Sequence, residues 1–95
     1  MPTIRDFVEA LGRREGVEAV IILGNDGLPI DSHVPPGGDA DALAALIPSV
    51  LRACDQLGAT ASGGGLEMGV LEYGTGAAVV ANLSPNAKLL VLARP

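Results

Sequence analysis

The chain has 95 residues, 48% of them hydrophobic and 18% charged, a size and composition that exclude a disordered segment and fit one domain around one core. Eleven acidic against six basic side chains give a net charge of -5, and Phe7 and Tyr73 are the only aromatics. That field repels phosphate backbones and anionic lipid headgroups, and two rings make no stacking platform, so nucleic acid is not an expected partner.

The first helix is expected over Thr3 to Arg14, where Ile4, Phe7, Val8 and Leu11 fall on one helical face. Thr3 can cap it, Asp6 stands where it can answer the cap, and Gly12 and Gly16 weaken the far end. Val17 to Leu23 is rich in β-branched residues and precedes Gly24-Asn25-Asp26-Gly27, whose last pair suits a tight turn needing positive φ. Leu28 to His33 is the return strand, and Pro29, without an amide donor, confines it to a sheet edge or to a solvent-facing donor position, so the hairpin is expected to start the sheet at one border.

After the Pro/Gly-rich loop Val34 to Gly38, Asp39 or Asp41 can cap a second helix running to Leu57, with Gly58 in the usual position just past a helix end. Leu43, Leu46, Ile47, Val50, Leu51, Ala53, Cys54 and Leu57 fill an arc of about 160°, wider than the roughly 100° that one-sided burial requires. Pro48 removes one helical hydrogen bond and crowds the carbonyl of Ala44, which predicts a kink. Ala59 to Gly65 reads as a flexible connection. Three strands follow at hairpin spacing, Leu66 to Tyr73, Ala77 to Leu83 and Lys88 to Arg94, separated by Gly74-Thr75-Gly76 and Ser84-Pro85-Asn86-Ala87. They read as an antiparallel meander.

The strands Ala19 to Leu23, Ala78 to Ala81 and Leu89 to Leu92 are apolar on consecutive residues, so both sheet faces should be covered. Five strands span roughly 24 Å while one helix is about 10 to 12 Å across. Two helices cannot cover both faces, which makes self-association the economical expectation. No apolar run approaches the roughly 18 residues a bilayer crossing needs, and the N-terminus has no signal-peptide pattern, so the reading is a cytoplasmic protein without membrane insertion.

The run Val17 to Ser32, an apolar strand, an Asp-Gly turn and a short strand ending in small polar residues, resembles the first hairpin of Roadblock domains. The helix Asp41 to Leu57 and the strands around Leu66 to Tyr73 and Lys88 to Leu92 fall in that family's order, so the resemblance covers nearly the whole chain as one domain over residues 1–95. Roadblock proteins are small homodimeric or heterodimeric modules that serve as dynein light chains, as lysosomal scaffolds and, in bacteria, as partners of small Ras-like GTPases. The resemblance implies an α+β fold, a five-stranded antiparallel sheet between helices, with second helices paired and edge strands joined across a dimer. Many relatives continue into another helix after the last strand, whereas this sequence stops at Pro95, so one sheet face is expected to be barer.

The expected function is that of a noncatalytic homodimer that binds a small Ras-like GTPase and modulates its hydrolysis; the alternative is a structural adaptor in a motor or signalling assembly. Its interface is expected at Leu43, Leu46, Ile47, Val50, Leu51, Cys54, Leu66, Met68 and Val70. No active site, cofactor or metal is expected. The only lysine, Lys88, lies at the final strand and not in a Gly-x-x-x-x-Gly-Lys-[Ser/Thr] loop. Gly63 to Gly69 satisfies part of a phosphate-loop pattern but precedes a strand, so flexible connection is its default reading.

Cys54 cannot form an internal disulfide and sits near the centre of the apolar arc, where burial is expected; with one histidine, it makes a four-ligand zinc site improbable. His33 reads as an exposed hydrogen-bonding histidine, and Glu67 and Glu72, five apart and so on opposite strand faces, as a solvated edge and a partner contact rather than an acid/base pair. Arg13-Arg14 raises the idea of an arginine finger, but its position at the end of the first helix is equally explained by the helix dipole. Bacterial members of the family it resembles are thought to reposition the GTPase's own catalytic groups.

Overall fold

A computed structural model describes residues 1–95 as two helices and five strands. Helix α1 spans Ile4–Gly12 behind Thr3. The Asp6 amide donates to Thr3 Oγ1 at 3.1 Å and the Thr3 amide to Asp6 Oδ2 at 3.0 Å, the reciprocal cap that satisfies two amides of the first turn. Strand β1 is Val17–Leu23 and β2 is Pro29–His33. The connecting turn differs from the expected tight pair: Gly27 alone takes positive φ, at +80°, and donates to the Gly24 carbonyl at 3.0 Å. Within the hairpin, Ile30 is the unpaired residue of β2 that shifts the register between Ile22 and Leu23. The positive φ is what calls for glycine at position 27; the neighbouring Pro48 and Ala44 carbonyl stand at ordinary contact distance.

Helix α2 spans Ala40–Thr60, with Asp39 as the cap through a 3.0 Å bond from the Ala42 amide. The expected stop at Gly58 is wrong: the helix runs through it and ends in a left-handed residue at Ser62, φ 61°. There Gly63 N–H reaches the Gly58 carbonyl at 2.7 Å and Ser62 N–H reaches Ala59 at 3.2 Å, the paired bonds of a Schellman end. Gly58 serves close approach instead, since a methyl group on it would collide with the Gly64 carbonyl oxygen.

Strands β3, Met68–Tyr73, β4, Gly76–Ser84, and β5, Ala87–Ala93, form the meander. The sheet order is β2-β1-β5-β4-β3, antiparallel throughout, with β2 at one border as Pro29 requires. Register assigns the faces. Ile21 pairs with Leu90 and Leu90 with Val80, so these share the α2 side with Leu23 and Ala78, beneath Ala44, Ile47 and Leu51. Val20 and Ile22 look to the other side, where Val8 of α1 joins Leu11 and Leu89. Each helix therefore covers its own face, and only part of it. Arg5 ties α1 to the β2 border, donating to Asp31 Oδ1 at 2.7 Å and to the Ser32 carbonyl at 3.2 Å. The hydrogen bond to Asp31 raises the Arg5 pKa above the ordinary arginine value.

Candidate functional site

On its side facing away from β2, α2 leaves an apolar groove of about 310 Å³ between itself and the outer strands. Its walls are Leu43, Leu46, Ile47 and Val50 of α2 and Leu71 and Tyr73 of β3; Ala78, Val80, Leu90 and Leu92 form the floor. No charged residue lines it. Leu46 is 64% exposed and Tyr73 63% exposed, so the rim is open to solvent although every lining residue is hydrophobic. Removing a Leu side chain of that kind from water is worth about 1.5 to 3 kcal/mol, which makes the groove a surface that gains by being covered.

Eight of the nine residues expected at an interface divide into three groups, and Cys54 stands apart. Leu43, Leu46 and Val50 line the groove. Ile47 and Leu51 are 6% and 1% exposed and belong to the protomer's own core, where Leu66 also packs; Ile47 additionally forms part of the groove wall. Met68 and Val70 are exposed, yet their register partners Ala81 and Val79 place them on the α1 side, away from α2. Leu71 and Tyr73, opposite Ala78 and Gly76, are the β3 residues that face the groove. Both parities of β3 are apolar, so alternation gave no way to choose between the two sets; the pairing with β4 does. Cys54 is a free thiol only partly buried, not enclosed as its place on the arc suggested.

The polar candidates do not converge. His33 is exposed, and its ring is stacked on Gly12, where a methyl group would fall 2.7 Å from Cδ2; no hydrogen bond engages it, contrary to expectation. Glu67 and Glu72 are both exposed. Arg13 follows the last residue of α1 and its side chain reaches back to Glu9 at 3.8 Å rather than to the helix-end carbonyls. Gly63 to Gly65 follow the C-terminal end of α2, whose free carbonyls oppose a bound phosphate. No helix is long and apolar enough to cross a membrane.

The family model described as Roadblock/LC7 domain matches residues 3–93. The chain is similar to a Roadblock/LC7 domain from Streptomyces avermitilis, 26% identical, with a TM-score of 0.82 over 92% of this chain and 74% of the other. It is also similar in fold to the gliding protein MglB of Thermus thermophilus, 15% identical, with a TM-score of 0.83 over 95% of this chain and 70% of the other. MglC of Myxococcus xanthus gives 18% identity and a TM-score of 0.61 over 95% of this chain and 78% of the other. Comparison with curated protein sequences found no match.

Proposed function

The chain belongs to the Roadblock/LC7 domain family, and from that premise we propose that it is a noncatalytic homodimer that binds a small Ras-like GTPase and modulates its hydrolysis. The observation that carries the reading is the uncharged groove beside α2, bordered by β3, a sheet edge with no strand beyond it. A second copy suits both features: its α2 lies along the first and its β3 continues the sheet, so the same patch serves both protomers. Likeness to MglB, a gliding protein, supports the bacterial branch of the family, whose members partner small Ras-like GTPases.

Such a dimer acts by stabilising the GTP-bound switch arrangement, which requires tighter binding to the GTP form than to the GDP form. A tenfold preference corresponds to about 1.4 kcal/mol, within reach of a few polar contacts. Pull-down from the source cell, followed by GTP hydrolysis with and without the protein, tests the proposal. The expected result is a captured small GTPase whose rate changes; capture with an unchanged rate supports an adaptor instead. Calorimetry on the purified protein alone should detect no GTP binding, and micromolar affinity there would overturn the noncatalytic reading. Arg13→Ala with Arg14→Ala should leave most of any stimulation intact, whereas a loss of about a thousandfold with normal complex formation indicates an arginine finger.

A further inference from the structure

Strand β3 is held differently from the rest of the sheet. It pairs on one side only, with β4, and neither helix lies over it, so Met68, Val70, Leu71 and Tyr73 are exposed on both faces. The segment leading into it, Ala61 to Glu67, contains three consecutive glycines and would by itself leave the strand's start undetermined. Leu66 ends that freedom. Its amide donates to Asp55 Oδ1 of α2 at 2.7 Å, and its carbonyl accepts from Asn82 Nδ2 of β4 at 2.8 Å. Its side chain packs on the core beneath α2. The next residue is tied as well, the Glu67 carbonyl accepting from the Asn82 amide at 3.2 Å.

Asn82 is itself oriented by the chain's only lysine. Lys88 Nζ donates to Asn82 Oδ1 at 2.9 Å from the opposite register position of β5, and a lysine ammonium has no acceptor capacity. The oxygen end of the amide is thereby assigned to Lys88, and the NH₂ end is the one aimed at Leu66.

We propose that the Asp55–Leu66–Asn82 clamp, oriented by Lys88, is a positioning device that fixes β3 in place on β4 and so presents the free sheet edge. Asp55, Asn82 and Lys88 are positioning residues that act through Leu66; none of them lines the groove. The consequence for assembly rests on the dimer reading above, in which β3 is the strand that a second copy extends.

Hydrogen–deuterium exchange on the full chain tests the clamp. Asn82→Ala, and equally the near-isosteric Asn82→Asp, which loses the donor and turns a carboxylate toward the Leu66 carbonyl, should speed exchange in residues 66–73 roughly two- to tenfold, the worth of one net hydrogen bond. Exchange in β1 and β5 should stay at the wild-type rate. Asp55→Ala should act on the same residues, while Asp55→Asn, which keeps an acceptor, should remain near wild type. Lys88→Met should give a smaller rise than Asn82→Ala. Unchanged exchange in both Asn82→Ala and Asp55→Ala, or a uniform rise or general unfolding that includes β1 and β5, overturns the clamp.

Sedimentation of the same variants separates the two readings. A wild-type chain that stays monomeric removes the dimer while a localised exchange change still upholds the clamp. Exchange unaffected by the variants removes the clamp while wild-type self-association keeps the dimer.

Discussion

Gly58 illustrates how one residue answers to two demands. By helix propensity, an alanine inside α2 should gain about 1 kcal/mol over glycine. Space decides otherwise, because the added methyl meets the Gly64 carbonyl oxygen, a backbone atom next to the Gly63 amide that bonds the Gly58 carbonyl. Overpacking of this kind costs about 1 to 3 kcal/mol, so Gly58→Ala should lower stability by a net amount of about 1 kcal/mol. A fall in urea midpoint at unchanged slope is the expected readout, and a rise would show that the backbone at Gly64 yields. Leu51 and Leu46 make a second comparison, on neighbouring turns of the same helix. Leu51 is 1% exposed, and truncation to alanine should cost about 2 to 5 kcal/mol through lost burial and the cavity left behind. Leu46 is 64% exposed, so its alanine variant should unfold, as a monomer, within about 0.5 kcal/mol of wild type.

Among the elements, α1 depends most on its own sequence. It is nine residues long, below the length at which an isolated helix persists in water, and its start is fixed by the Thr3–Asp6 exchange. Thr3→Ala should cost about 1 kcal/mol in chemical unfolding, and exchange should quicken first in the opening turn. The strands contrast with one another. β1 is buried from Ala19 through Leu23 because it lies between α1 and α2 and is paired on both sides, whereas β3, of comparable apolar content, is exposed almost throughout. Position in the sheet, not composition, sets that difference.

At the scale of the whole molecule, the question is what covers the groove. Leu46→Asp puts a charge at its rim, where the protomer keeps it solvated but a second copy would have to desolvate it at a cost of several kcal/mol. The variant should sediment as a monomer at concentrations where the wild type is a dimer, with an unaltered circular dichroism spectrum. A wild-type chain that is monomeric at tens of micromolar would remove the dimer. Charge adds an independent check. Two protomers of net charge -5 repel, and salt shortens the screening length from about 10 Å at 0.1 M to about 3 Å at 1 M. Self-association through an uncharged groove should therefore tighten as salt rises, a trend visible in sedimentation equilibrium; weakening with salt would point to ion pairs as the main contact.

The sequence by itself determined the element order, the Thr3 cap of α1, the border position of β2 and the family, because these follow from local signals: a cap residue, Pro29, hydrophobic period and the Asp-Gly turn; it left Asp39 and Asp41 as alternatives for the cap of α2, and the structure selects Asp39. It also identified α2 as the helix with apolar surface to spare. Tertiary structure alone decided which of those residues remain available. Ile47 and Leu51 disappear into the core while Leu46 stays outside, a division set by how α2 rolls on the sheet, and the width of an apolar arc does not encode that roll. The same holds for β3, where Met68 and Val70 compete with Leu71 and Tyr73 for the groove and only the register with β4 sends one pair to each face. The end of α2 was misplaced for a related reason: a glycine is favoured both by left-handed backbone and by close approach, and Gly58 serves the second while Ser62 supplies the first. Local rules specify what a residue permits; the segment packed against it decides which permission is used.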